Sequence, residues 1–261
     1  MAEAAVKRDW ARWITIAALL FGVGGVLAAL IASLGAGQGA WHFGSAFTVL
    51  RYAFFAAIAG AVLGLIGLIV SRRLGKAKLM LPNLLALVVA LGFVLYLGAQ
   101  IRTARSVPAI HEVATDLDDR PQFTKLKLRE DYQKKVPDLG RADLKALGPD
   151  ARWKAIHREA YGDLKTIRVP MSVEDTIRRA ERLARDRGWE VALADPAAGV
   201  LEATETTRFF RFKDDVVVRA RAAPQGGSLV DMRSISRVGG SDVGVNAKRV
   251  RAFLADLQQG S

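Results

Sequence analysis

Arg219, Arg221, Arg233 and Arg237 stand at alternating positions of two runs near the end of the chain, with Asp215 and Asp231 among them. A period of two puts such residues on one face of a strand pair. Guanidinium groups held on a rigid sheet are a means of recognising anionic groups, because their planar N–H donors match carboxylate and phosphate oxygens. Four cations against two carboxylates leave an excess of two positive charges on this face. Cross-strand ion pairing, at about 0.2–1 kcal/mol per pair, explains the same ladder without a ligand. Directly after it comes Gly239-Gly240-Ser241-Asp242, glycines leading into a helix whose first N–H groups can hold an anion. Ser241 or Asp242 as N-cap competes for those same groups. Asn246, in the first turns of that helix, is placed to hydrogen-bond back to the Ser234–Arg237 segment. The candidate ligand-binding residues are therefore Arg219, Asp231, Arg233, Ser234, Arg237, Gly239, Ser241, Asp242 and Asn246.

Catalytic chemistry has less to work with. The chain has no cysteine, which removes thiolate zinc sites, haem attachment, disulfides and a cysteine nucleophile. His42, His111 and His157 have no neighbours that would activate a serine. Ser234 and Ser236 fall on the apolar side of their strand. A hydrolase using Asp215 or Asp231 as base would need a partner supplied by the fold. The segment His111–Asp119 gathers one imidazole and four carboxylates, but lacks the alternating ligands and central glycine of a calcium loop. It reads as a self-capping turn of Asp and Thr side chains. No catalytic residue, metal or cofactor is assigned.

The elements that must position these residues lie in 164–261. Leu164 to Val169 reads as a strand. Ser172 then caps a helix, with Asp175 three residues on. Val173, Ile177, Ala180 and Ala184 form its apolar stripe, and Arg182, Arg185 and Arg187 precede a stop at Gly188. Strands follow at Trp189–Ala194, at Val200–Phe212 with a bulge near Glu205, at Asp215–Ala222, and at Ser228–Arg237 after Pro224-Gln225-Gly226-Gly227. A five-residue loop sets Ala222 opposite Ser228, Arg219 opposite Asp231 and Val217 opposite Arg233. Val216, Val218, Ala220, Val230 and Met232 then share the core face. A last helix carries Val243, Ala247, Val250, Leu254 and Leu257. Residues 102–163 are polar and punctuated by Pro108, Pro121, Pro137 and Pro149. They read as a membrane-proximal connector with short helices, the clearest at Ala151–Ala160.

Residues 1–101 form a membrane domain. Charge-free apolar runs occupy 13–34, 52–70 and 79–101, each long enough as a helix for a hydrocarbon core of about 30 Å. Pro82 is placed in the first turn of the third span. The first run is longer than a signal-peptide core, which favours a retained span over a cleaved leader. Lys7, Arg8 and Arg12 before the first span, and Arg72, Arg73, Lys76 and Lys78 after the second, put both on the cytoplasmic side. The loop 35–51 and everything after Ile101 then lie outside, in a bacterium the periplasm or cell exterior. Trp13, Trp41, Phe43 and Tyr52 suit the interfacial belt. No Asp, Glu, Lys, Arg or His interrupts a span, which argues against transport. Gly60 and Gly64, with Gly22, Gly25 and Ala29, form small-residue stripes; packing of the three helices on one another is the plainer reading, and a homo-oligomer or partner helix the other. Of the 261 residues 51% are hydrophobic, and the net charge of +12 divides evenly: eight basic against two acidic residues up to Ile101, and thirty against twenty-four beyond it. Half the charge therefore orients the spans, and the remainder is mixed in sign, unlike a nucleic-acid stripe. Membrane lipids, an envelope or membrane-protein partner and an anionic ligand are the partners this pattern admits.

The string Arg233-Ser234-Ile235-Ser236-Arg237-Val238-Gly239-Gly240-Ser241-Asp242-Val243-Gly244-Val245-Asn246, preceded by Asp214–Arg219 and Asp231-Met232, resembles the signature of the domain-of-unknown-function 1499 family (DUF1499). His111–Asp116, Tyr161–Leu164 and Gly188-Trp189-Glu190 are similar to further segments of that family, over about 108–257. Gly162 replaces a more usual proline and Glu112 a more usual aspartate. The resemblance implies an envelope or organelle-membrane setting with N-terminal membrane helices, and no established activity. The expected fold is membrane-anchored α+β, three transmembrane helices followed by an antiparallel β-sheet domain with two packed helices. The expected role is that of an outward-facing, non-catalytic binding or envelope-assembly domain. A purely structural domain of a membrane complex and an envelope hydrolase are the alternatives.

Overall fold

The computed structural model describes residues 2–131 and 136–259, with side chains from Trp10 onward. Gly260 and Ser261, included in the expected outer domain, lie outside the described residues. Two compact units result. One takes in the residues up to Arg102 together with Arg208–Arg211, and the other the described residues of Thr103–Thr207 and those from Phe212 on.

The first unit contains α1 (Ala2–Leu19), a π-helical turn (Leu20–Gly24), α2 (Gly25–Gly37), α3 (Phe43–Arg73) and most of α4 (Ala77–Ser106). Trp10–Gly37, Phe43–Arg73 and Ala77–Ser106 are each long and apolar enough to cross a membrane. Each helix runs past its charge-free stretch, so the connections are shorter than expected. Of the 35–51 loop, only 38–42 remains outside helix. His42 closes it by accepting the Gly44 N–H on Nδ1, which caps α3, and Trp41 donates its indole N–H to the Ala32 carbonyl at 2.8 Å. Because α4 begins at Ala77, Pro82 is inside the helix rather than in its first turn. There it removes the N–H that would meet the Lys78 carbonyl.

The small-residue stripes sit at internal helix contacts. A Cβ built on Gly60 would lie 2.2 Å from the Gly22 nitrogen, and one on Gly25 would lie 3.3 Å from the Ala56 Cβ. The π-helical turn coincides with this crossing at Gly22. The spans also enclose a neutral polar clasp. Buried Asn83 donates from Nδ2 to Thr15 Oγ1 at 3.0 Å, to the Leu79 carbonyl at 2.8 Å and to Ser71 Oγ at 3.3 Å, tying α4 to α1 and α3. Interhelical hydrogen bonds of this kind replace the hydrophobic driving force that lipid cannot supply.

The second unit is an antiparallel sheet of β1 (Glu112–Ala114), β2 (Ile167–Val169), β3 (Glu190–Asp195), β4 (Val200–Thr206), β5 (Lys213–Ala222) and β6 (Ser228–Ser236), with α5 (Ala142–Lys145), α6 (Pro149–Tyr161), α7 (Val173–Asp186) and α8 (Val245–Gln259). The order is β1-β6-β5-β4-β3, with β2 also paired to β6. Ser172 Oγ accepts the Asp175 N–H at 3.1 Å, and Ile177, Ala180 and Ala184 are buried as the stripe requires. The β5–β6 register places Ala222 opposite Ser228, Arg219 opposite Asp231 and Val217 opposite Arg233.

Three details differ from expectation. The strand that begins at Val200 stops at Thr206. Thr207 closes the turn by donating its N–H to the Phe212 carbonyl at 2.8 Å and accepting the Phe212 N–H on Oγ1 at 2.8 Å. The bulge lies in β3, between Val191 and Leu193. Val243 precedes α8 with φ of 56°, a left-handed residue outside the helix rather than one on its apolar face.

The expected connector at 102–163 is part of the domain. Helix α4 continues to Ser106, and β1 pairs with β6 along Glu112–Ala114. Ile110, Val113, Leu144, Trp153, Ile156 and Tyr161 are buried in one core with Leu201, Met232 and Phe253. Three strand residues are too few to show a period, and prolines separate the rest, so the segment reads as linker although it packs as core.

Candidate functional site

The alternation of β4, β5, β6 and β1 puts Glu202, Thr204, Asp215, Arg219, Arg221, Asp231, Arg233 and Glu112 on the sheet face opposite α7 and α8. The middle of this face is closed to solvent, while Arg221 and Arg237 at its margins remain exposed. The segment Thr115–Asp131 lies across it: Arg233 donates to the Pro121 carbonyl at 3.2 Å and sits over the Phe123 ring, and Arg219 donates to the Asp119 carbonyl at 2.7 Å. Arg233 is 1% exposed and Asp231 0%.

Each ladder arginine, covered or exposed, meets a carboxylate. Arg237 makes two bonds to Asp215, both 2.8 Å, and Thr204 Oγ1 donates to the same carboxylate at 2.7 Å. Arg219 and Arg221 reach Asp231 Oδ2 at 3.1 and 2.7 Å, while Thr115 and Thr166 hydroxyls donate to its Oδ1. Arg233 does not turn to the diagonal Asp215 but pairs with Glu112 at 2.7 Å. The excess of positive charge counted on the two strands is answered from outside them, by Glu112 on β1 and Asp119 in the covering segment. A charge count confined to β5 and β6 misses this because both acids lie about a hundred residues upstream.

Glu202 is a further buried acid of this face. It accepts the backbone N–H groups of Thr124, Lys125 and Leu126 and the Thr124 hydroxyl, at 2.5 to 3.1 Å. Burial pushes its pKa upward, but the Leu126 N–H, the Thr124 hydroxyl and the N–H groups of Thr124 and Lys125 together hold it below the ordinary glutamate value. This carboxylate is the peg on which the covering segment hangs.

The other face holds the second half of the motif. Ser234 Oγ donates to Asn246 Oδ1 at 2.7 Å, and Asn246 Nδ2 donates to Ser236 Oγ at 3.0 Å and to the His111 carbonyl at 3.1 Å, so the expected return bond is made. Arg249 completes the cluster, donating to Asp214 at 2.7 Å, to Ser234 Oγ at 3.0 Å, and to Glu205 and Asn246. Arg249 has a signal in the sequence: it occupies a core position of α8, three residues from Asn246 and four from Phe253. At the helix start Asp242 accepts the N–H groups of Gly244 at 2.8 Å and Asn246 at 3.0 Å, and Ser241 Oγ accepts that of Val243 at 3.2 Å. The N–H groups of Val243, Gly244 and Asn246 are thus held by the chain's own cap. Gly239 lends its carbonyl to Arg129 at 2.7 Å.

The His111–Asp119 segment does not converge. Glu112 goes to Arg233, Asp118 to Lys154, Asp119 to Arg219, and Asp116 accepts the N–H groups of Asp118 and Asp119, closing the expected turn on itself. His157, on α6, is 1% exposed and accepts the Ala114 N–H on Nε2 at 3.2 Å, which assigns its proton to Nδ1. Burial lowers its pKa from 6.5 to about 4, against a smaller opposing pull from Asp163. The unfolded chain takes up this proton near pH 6.5 and the folded chain only near 4, so stabilisation present above pH 6.5 is lost as the pH falls towards 4. Chemical denaturation of wild type and His157→Gln at pH 7 and pH 4.5 measures it. The wild type is expected to lose up to about 3 kcal/mol more than the variant over that interval, and equal losses would place His157 in a solvated site.

Comparison with known proteins adds one match. A family described as "Protein of unknown function (DUF1499)" matches residues 112–257. The match opens at the first residue of β1, so it takes in the covering segment and α6 as well as the later strands. No curated protein matches the chain.

Proposed function

The chain belongs to the DUF1499 family, and from that premise we propose that it is an integral protein of a bacterial inner membrane carrying an outward-facing, non-catalytic assembly domain. In this reading the signature braces the domain internally, and a membrane-protein or envelope partner is met by the remaining surface. The observation that carries it is the fate of the signature's polar groups. Arg219, Arg233 and Arg237 are paired with Asp231, Glu112 and Asp215, and Ser234, Asn246 and Arg249 with one another. Basic residues before the first span and between the second and third support the orientation, with the N-terminus cytoplasmic.

One experiment addresses placement and role together. The full chain, fused after Ser261 to a phosphatase active only when exported, is expressed as wild type and as Arg237→Ala. Both fusions are expected to be active and to copurify with the same proteins and lipids. The variant is expected to lose about 1–3 kcal/mol of unfolding free energy, because Asp215 is left buried without its cation. An inactive wild-type fusion would overturn the orientation. Unchanged stability with a lost copurifying component would make Arg237 a ligand-binding residue.

A further inference from the structure

We infer that the β4–β5 turn is an interfacial membrane anchor, its exposed Phe209 ring seated at the acyl boundary of an anionic bilayer and its Arg208 and Arg211 guanidinium groups at the lipid phosphates. The inference rests on the reading that the three apolar helices cross that bilayer. The turn and the first residue of β5 read Arg208-Phe209-Phe210-Arg211-Phe212-Lys213, three aromatic and three basic residues with no acid. Amphipathic aromatic rings settle at the headgroup level, and basic side chains beside them reach anionic phosphates while their stems stay in contact with apolar surface.

The local structure presents this hexapeptide as a formed tip. The two Thr207 bonds to Phe212 pin its base, and Arg211 turns the chain with φ of 51°. Phe209 is 40% exposed, whereas Phe253 in the core is 0%. The Arg208 guanidinium lies 5.8 Å from the centre of the Phe209 ring, so the cationic and aromatic members of the tip are already assembled. Among the described residues no carboxylate forms an ion pair with Arg208 or Arg211, in contrast to the arginines of the sheet face. Arg208–Arg211 also belongs to the same compact unit as the apolar helices. Lys213 pairs with Glu190 and the Phe210 ring stacks on Phe47, which leaves Arg208, Arg211 and the exposed Phe209 ring as the presented groups. Together with a chain that already carries membrane helices, they point to one occupant, the headgroup layer.

The absence of cysteine makes the test direct. Single spin labels are placed at Phe209→Cys, at Gln225→Cys in the β5–β6 turn, and at Leu85→Cys on the exposed side of α4, in the full chain reconstituted into vesicles of phosphatidylethanolamine and phosphatidylglycerol. Collision with oxygen, which concentrates in lipid, and with a nickel chelate, which stays in water, is then measured. At 209 the nickel collision rate is expected to be several-fold lower than at 225, with oxygen collision raised, and nickel access is expected to rise when phosphatidylglycerol is replaced by phosphatidylcholine. Nickel access at 209 equal to that at 225 would overturn the anchor. Loss of both collisions at 209 would do so too, since it marks burial against protein. A label at Leu85 that collides freely with nickel would instead overturn the membrane-spanning reading beneath it.

Discussion

Replacing Arg233 with alanine is expected to lower the unfolding free energy of the sheet domain by about 3–5 kcal/mol, the usual cost of removing one partner of a buried ion pair. The pair it breaks is closed on every side. Arg233 and Glu112 are 1% and 3% exposed and 2.7 Å apart, and the guanidinium also bonds the Pro121 carbonyl. Without it Glu112 remains buried with the Arg120 guanidinium at 3.6 Å, too long for a hydrogen bond. Denaturant unfolding followed by the fluorescence of buried Trp153 and Trp189 reads the change. The double variant Glu112→Leu, Arg233→Met is expected to recover most of the loss, because two apolar groups need no counter-charge. A single variant with an unshifted midpoint would mean that water reaches this face and that the covering segment opens.

Gly60→Ala is expected to have the largest effect in the membrane unit, about 3 kcal/mol, at the upper end of overpacking penalties. The added methyl would lie 2.2 Å from the Gly22 nitrogen and 2.4 Å from its Cα. Both atoms are backbone, so no rotamer change relieves the clash and the two helices must separate. Separation would in turn weaken the Gly25 contact one turn along. Gly98→Ala in α4 is the control, since a Cβ there has nothing within 4 Å. Unfolding of the purified protein by sodium dodecyl sulfate, followed by helical circular dichroism, compares them. Equal resistance in the two variants would show that the Gly22–Gly60 crossing is not a tight contact.

The strand register of β5 and β6 was legible because two independent signals agreed. The alternation of Val216, Val218 and Ala220 with charged residues named the faces, and the five-residue loop named the opposing pairs. The Asn246 bond was legible for a similar reason, a lone amide on the buried side of an amphipathic helix. What covers the ladder was not. Its lid is an irregular segment, 115–131, held by hydrogen bonds from backbone N–H groups to Glu202, and backbone bonds leave no mark in side-chain pattern. Glu112 was missed as a partner because β1 has only three residues, below the length at which alternation can be recognised. The charge excess on the sheet was therefore real as arithmetic on two strands, and absent once the third and its following loop are added. The place of Pro82 in its helix is not legible for a simpler reason: α4 starts at Ala77 and Lys78, before the apolar run, where hydropathy gives no sign of helix.

The long reach between β1 and β6 has a bearing on how the domain is made. Glu112 and Arg233 are 121 residues apart, yet they complete one buried pair beside a strand ladder. During synthesis β1 appears early and waits for β6, so the sheet cannot be assembled strand by strand as it emerges. Pairings of such separation close slowly, since loop entropy is lost before any contact rewards it. A chain stopped short of β6 would expose the Val113 and Trp153 core surface together with an uncompensated glutamate. Nascent copies of this domain should therefore depend on chaperone shielding until their last third has been delivered.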